Sequence, residues 1–221
     1  VGRLYVTYEN QFLRSFDCVT ASTAKIRRKV TARQLPVGIE MDRFRPQEEQ
    51  LFDDEQPIEQ RMGIIEIKKN IDEILRVAAE TPAYRYVLVG EGPARSSLEA
   101  DAPENVEFHD FIDREKLPTF YSSLDVFVSA STCDTLGLST LEACACGTPV
   151  AAADVQPFNE TIGEENGARF EYGNIDAMAR AIRACLDGDR DTRAAVERFS
   201  VEQTVDELEA IYGAESRADS T

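Results

Sequence analysis

Histidine and lysine are scarce in this chain: 221 residues carry one histidine, His109, and five lysines, Lys25, Lys29, Lys68, Lys69 and Lys116. A single histidine leaves little material for a Ser/His/Asp nucleophile arrangement, and a histidine at a strand end reads as a structural or surface residue. Basic side chains number 24 against 41 acidic ones, a formal charge of −17. Clustered basic charge of the kind that nucleic acid or an anionic membrane surface demands is therefore missing. No apolar run approaches the length of a membrane span, and the first ten residues lack the charged-then-apolar order of a signal peptide. The chain is expected to be soluble and cytoplasmic. Its acid excess, with arginine preferred to lysine, fits a salt-adapted protein and a merely acidic cytosolic one alike.

The five cysteines, Cys18, Cys133, Cys144, Cys146 and Cys185, are odd in number and show no zinc-ligand spacing. Cys144 and Cys146 stand two apart in a predicted helix and so point in different directions. Most of the five read as buried small hydrophobes, with Cys133 exposed. Asp187-Gly-Asp189-Arg-Asp191 has calcium-loop acids but lacks glycine at the sixth position and glutamate at the twelfth, where Thr192 and Arg198 stand. It reads as a solvated acidic turn. Asn159-Glu160-Thr161 is a glycosylation sequon in form only, and no metal is expected.

Apolar residues from Leu4 to Phe16 lie on a helical face, followed by a short strand at Val19 to Ala21 and a basic helix from Thr23 to Arg33. Residues 47–57 are acidic and without period, which predicts a solvated linker. From residue 58 to 213 strand and helix alternate, the pattern of an α/β doubly wound parallel sheet covered on both faces. Strands are predicted near Ile64 to Ile67, Tyr86 to Val89, Val106 to Phe108, Val126 to Val128, Val150 to Ala153 and Ala168 to Phe170. The intervening helices fall near Asn70 to Glu80, Ala94 to Ala100, Arg114 to Ser122, Ser139 to Cys146, Val155 to Ile162 and Ile175 to Asp187. A last one runs from Ser200 to Tyr212, and residues 214–221 form a tail.

The stretch Asp125 to Val150 organises this plan. A buried strand leads into a small, polar loop ending near Gly137, then into a helix that Ser139 can cap, and Gly147 with Thr148-Pro149 returns the chain to the next strand. Asp134 and Glu142 bracket a glycine-containing turn at a helix N-terminus, where free N–H groups and the helix dipole favour a phosphate.

Residues Asp134 to Val150 read D-T-L-G-L-S-T-L-E-A-C-A-C-G-T-P-V. This resembles the donor-site signature of retaining glycosyltransferases of family 4, which has E-x7-E within a longer pattern ending L-E-A-x-A-x-G-x-P-V. Here the first acid is Asp, shorter than Glu by about 1.5 Å. Asp17 to Ser22 resembles the family's "D-x-V-x-x-S" element, and Leu35 to Pro46 its interdomain segment. The resemblance implies the GT-B architecture of two Rossmann-like domains, with residues 1–46 as the remnant of an acceptor domain that is mostly missing here.

By that resemblance Glu142 accepts hydrogen bonds from the nucleotide ribose, and Asp134 sits at the donor sugar and its developing positive charge. Thr135 and the backbone of Leu136, Gly137 and Leu138 hold the distal phosphate. Gly90-Glu91-Gly92-Pro93 with Arg95 is similar to the family's "V-G-x-G-P-x-R" donor loop, although a tight strand-to-helix turn explains Gly90 and Gly92 equally well. An Arg and a Lys from an early "G-R-x-x-x-E-K" segment hold the donor diphosphate in the family. Arg61 and Lys69 align with them; alternatively Ile64 to Ile67 is the strand there and Lys68 or Lys69 the remaining candidate.

The implied activity is transfer of a hexosyl group from a UDP-, GDP- or ADP-sugar, with retained configuration, to a sugar or lipid acceptor, with no cofactor. A lipid acceptor would bring the protein to the inner membrane face. A homodimer or a separate acceptor-domain chain is the implied partner. The alternative is a non-catalytic nucleotide-binding or interaction module derived from such an enzyme. An epimerase or phosphorylase of the same architecture matches the site residues less well.

Overall fold

The computed structural model describes residues 18–22, 32–35, 37–52, 61–65 and 70–218. It divides into two compact units, one spanning Val1–Glu40 with Arg198–Thr221 and the other Met41–Glu197. In the first, β1 (Thr20–Ala21) pairs in parallel with β2 (Arg33–Gln34). Arg33 was expected to end a helix. Its N–H instead donates to Val19 O at 2.7 Å, so ladder pairing overrides local helix preference there. The rest of that predicted helix, residues 23–31, lies outside the described residues, as does the one from Leu4 to Phe16. The C-terminal helix, Val201–Ala218, belongs to this unit rather than to the sheet domain to which its position in sequence assigned it. Ile39 holds it, donating its N–H to Phe199 O at 2.8 Å and accepting from Val201 N at 3.0 Å.

The second unit carries β3 (Arg61–Ile65), α1 (Ile71–Glu80), β4 (Arg85–Val89), α2 (Arg95–Asp101), β5 (Val106–His109), α3 (Leu117–Ser122), β6 (Val126–Ser129) and α4 (Leu138–Ala145). It continues through β7 (Val150–Ala153), α5 (Phe158–Thr161), β8 (Gly167–Phe170), α6 (Ile175–Leu186) and α7 (Thr192–Val196). All six strands are parallel, in the order β5-β4-β3-β6-β7-β8. This is the doubly wound, Rossmann-like sheet expected from the alternating pattern, and the strand order reverses at β3/β6.

Successive strand residues point to opposite faces, and both faces are covered. Tyr86, Leu88, Val126, Val128, Ala151, Ala153 and Phe170 pack against Ile71, Ile74 and Val77 of α1 and Ile175, Met178 and Ile182 of α6. The other face carries Phe127, whose ring meets that of Tyr121 from α3 at 5.6 Å. α6 was legible from its three- and four-residue apolar spacing, and Asn174 caps it by accepting from Ala177 N at 3.0 Å. α7 was not foreseen. The acidic turn read at Asp187 to Asp191 proves to be its start, since Asp191 Oδ1 accepts from Ala194 N at 3.1 Å. Residues 47–52 of the predicted solvated linker are anchored: the N–H groups of Gln47 and Leu51 donate to the hydroxyls of Ser122 and Ser123 at 3.0 and 2.8 Å. Residues 53–57 lie outside the described residues.

Four interior acids are held neutral by burial, the Cys144 thiol among them, pushed well above its ordinary value. Desolvation pushes the Cys146 thiol up to about 12 and the Cys185 thiol to about 11 from an ordinary 9.0, and the Tyr86 phenol to about 12 from 10.0. A neutral acid favoured by the fold contributes stability that is complete below its unfolded pKa and lost as pH rises through the folded value. The thermal midpoint should therefore hold to about pH 9 and fall steadily above it, with Cys185→Ala flattening the fall; a midpoint unchanged between about pH 9 and pH 11 would contradict this.

Candidate functional site

Parallel strands all end at one edge of the sheet, and folds of this kind bind ligands at that edge where the strand order reverses. β3 pairs with β4 over five residues but with β6 over two, Met62↔Val126 and Gly63↔Phe127. Among the described residues, ladder pairing between the two central strands stops at Gly63 and Phe127. From the end of β6 the segment Ala130 to Gly137 leads into α4.

Gly137 sits at the N-cap position of α4 with φ 75° and ψ 50°, and no side chain caps the helix. The predicted cap, Ser139, lies one residue inside the helix. The reason is local: Gly137 O already accepts from Thr140 N at 3.0 Å, Leu141 N at 3.2 Å and Thr140 Oγ1 at 2.7 Å, which starts the helix at Leu138. The N–H groups of Leu138 and Ser139 then have no acceptor within the helix and point out of its positive end. A Cβ at Gly137 would stand 2.6 Å from Phe158 Cε1 and 3.1 Å from Thr140 Oγ1. Glycine is thus required twice, for the left-handed turn and for the close approach of α5.

Glu142 lies one turn on, half-buried, with Oε2 accepting from Tyr121 Oη at 3.1 Å. Tyr121 is itself buried and wedged against Phe44, Phe120 and Phe127 at ring separations of 6.2, 5.7 and 5.6 Å. A rigid donor therefore orients the carboxylate. Tyr121 was not singled out from sequence, because its three ring partners come from separate elements. Asp134 is half-buried in the same segment, beside the exposed Cys133 and Thr135, while Leu136 is buried and Leu138 is 42% exposed.

Gly90 and Gly92 lie in the loop after β4, two strands and so about 10 Å across the sheet from β6. Arg95, which takes the third glycine's place in a dinucleotide fingerprint, fastens this loop to the next. Its guanidinium donates to Gly90 O at 3.2 Å, His109 O at 3.4 Å, Asp110 Oδ1 at 2.7 Å and Glu99 Oε1 at 2.7 Å. Hydrogen bonds to the Glu99 and Asp110 carboxylates hold its pKa above the ordinary arginine value. His109 ends β5 as expected, with Phe52 edge-on at 5.5 Å. Arg61 does not reach the loop edge. It is the first residue of β3, paired with Arg85 at the start of β4, about 13 Å along the strand from Ile65. The strand begins earlier than expected because its register with β4 runs from Arg61 to Ile65, and the alignment of Arg61 with a diphosphate-binding arginine is thereby corrected. Lys68 and Lys69 lie outside the described residues.

A family model described as glycosyl transferases group 1 matches residues 42–200. The chain belongs to this family. It is 31% identical over 173 residues to sulfoquinovosyl transferase SQD2 of Arabidopsis thaliana, covering 73% of this chain and 33% of that protein. Identity to the alpha-monoglucosyldiacylglycerol synthase of Streptococcus pneumoniae is 30% over 181 residues, covering 72% and 40%. The chain thus spans between a third and two fifths of these curated relatives. Among solved structures it superposes on sucrose-phosphate synthase from Thermosynechococcus elongatus with a TM-score of 0.80 at 24% identity, covering 98% of this chain and 62% of that one. The Anabaena protein HepE in complex with UDP and glucose gives 0.77 at 17% identity, with 96% and 66% covered. These likenesses establish the fold, that of one half of a GT-B glycosyltransferase.

In this group 1 glycosyl transferase the turn at Gly137 is the most constrained part of the site. Gly137→Ala should cost about 1–3 kcal/mol in urea unfolding, from the left-handed backbone and the clash with Phe158. A loss below about 0.5 kcal/mol would mean that α5 gives way freely.

Proposed function

We propose that this chain is the donor-binding half of a retaining glycosyltransferase that moves a hexosyl group from a UDP-, GDP- or ADP-sugar to a sugar or lipid acceptor. The observation that carries the proposal is the pairing, on one loop and helix at the reversal of strand order, of the open Gly137 turn with a Glu142 carboxylate oriented by Tyr121. In this reading the N–H groups of Leu138 and Ser139 take the distal phosphate. Negative charge grows on that phosphate as the glycosidic bond breaks and its electron pair leaves with the diphosphate, so donors at the helix N-terminus stabilise the transition state more than the ground state. Glu142 holds the ribose hydroxyls, a task for a carboxylate's two acceptor oxygens. Asp134 faces the sugar and offsets positive charge developing at its anomeric carbon. Gly90 and Gly92 line the nucleotide, and Lys69 is proposed as the cation for the diphosphate.

Acceptor binding is assigned to a second domain, in the same protein or in a partner chain. Among the described residues no helix is long and apolar enough to cross a membrane. The likeness to alpha-monoglucosyldiacylglycerol synthase favours a peripheral position at the cytoplasmic membrane face for a lipid acceptor.

Isothermal titration with UDP, GDP and ADP should give saturable binding of one of them below about 1 mM. Glu142→Ala should weaken it at least about tenfold, while Asp134→Ala should leave nucleotide affinity within about twofold and abolish sugar transfer in the presence of the acceptor domain. Binding of none of the three would sink the proposal. We also read the charge of −17 as salt adaptation. Screening of self-repulsion should then raise the thermal midpoint by several degrees between about 0.1 M and 2 M KCl, and a flat or falling midpoint would reject it.

A further inference from the structure

Asn70 closes the segment between β3 and α1. Among the described residues it is the one non-glycine with positive φ, at φ 57° and ψ 43°. A left-handed backbone is costly for any residue with a Cβ, and asparagine is among those that tolerate it best. Asn70 also occupies the N-cap position of α1, where an asparagine side chain normally accepts from the first turn out of an extended backbone. It makes no such bond. Its Nδ2 donates instead to Ala130 O at 2.8 Å, across 60 residues of sequence.

The placement of that bond is informative. Ala130 is buried and follows the last residue of β6. It opens the segment that carries Asp134 and Gly137. Among the described residues, backbone pairing between β3 and β6 stops at Gly63↔Phe127, and the Asn70 amide adds a link to the β6 side beyond it. The backbone of Asn70 starts α1, its carbonyl accepting from Glu73 N at 3.2 Å, while its side chain is given to the bond with Ala130.

We propose that Asn70 is a positioning residue, a latch that fixes the start of α1 against the start of the segment leading to α4. The inference rests on the donor-site reading for its consequence: a segment already held in place need not be ordered by the ligand, which raises affinity for the part of the ligand that this segment binds. That part is the diphosphate. The latch therefore matters for a nucleoside diphosphate and little for the matching nucleoside.

Asn70→Gly separates the latch from the backbone, since glycine takes the left-handed conformation without strain. Asn70→Asp keeps the side chain's shape but turns an acceptor towards Ala130 O. Both variants should fold, the glycine variant with an unchanged or raised thermal midpoint. In both, amide hydrogen exchange over residues 128–133 should speed up about tenfold relative to the unsubstituted protein, with α6 unchanged. Affinity for whichever of UDP, GDP and ADP binds should fall about tenfold, and affinity for the corresponding nucleoside should stay within about twofold. Unchanged exchange over residues 128–133 overturns the latch whatever binds. Faster exchange with undiminished diphosphate affinity overturns its role in positioning. If the unsubstituted protein binds no nucleoside diphosphate, the donor-site reading fails, and the exchange measurement alone then upholds or overturns the latch.

Discussion

A common strand direction is the constraint on which this molecule depends. Because all six strands of the sheet run in parallel, every connection must cross back over a face, and every strand must hand its chain to a loop at the same edge. Burial of both faces follows from the crossovers, and with it the near-continuous apolar runs at Tyr86–Val89, Val126–Val128 and Val150–Ala153. The same constraint gathers residues as distant in sequence as Gly90 and Gly137 along one edge. What remains for the side chains is to hold those loops at useful separations.

They do so by lateral ties. Arg95 joins the loops after β4 and β5 through the carbonyls of Gly90 and His109. Asn70 reaches from the β3 side to Ala130 after β6. Glu73, 6% exposed on α1, accepts from Gly173 N in the loop after β8 at 3.4 Å. Phe158 of α5 fills the space that the missing Cβ of Gly137 leaves beside α4. The tie at Arg95 reinforces the backbone bond from Gly90 N to His109 O at 3.1 Å, and those at Asn70 and Glu73 join residues far apart in sequence. A loop edge built this way is rigid where its ties are buried, and Tyr121 extends the same logic to the orientation of Glu142.

Periodicity made the sheet and most of its helices legible, because alternation and three-to-four spacing report burial directly, as in α6 and β7. The signature around Gly137 was legible for a related reason: a left-handed turn, a close packing contact and a helix start each demand a particular residue there. Arg61 was misplaced because an apolar pattern cannot tell which end of a strand a flanking residue occupies; register with β4 decides that. The roles of Arg95, Asn70 and Tyr121 were hidden for another reason. A polar side chain that bonds a backbone carbonyl 14 or 60 residues away, or a carboxylate 21 residues away as in Tyr121, leaves no trace in spacing or composition.

The charge of the whole chain and the chemistry of the site pull in opposite directions. A net charge of −17 repels an anionic ligand at long range, yet at physiological ionic strength that repulsion is screened beyond about 8 Å. In the proposed donor site local groups decide inside that distance: the outward N–H groups at the start of α4 and the positive helix terminus would act on a phosphate directly. Backbone donors carry no net charge, so they need no burial of a cation and are not neutralised by the surrounding carboxylates. In the proposed site such donors would share the holding of the diphosphate with the cation assigned to Lys69. Geometry of that kind tolerates little movement, and the contact of Phe158 with Gly137 and the bond from Asn70 to Ala130 are the ties that hold this segment.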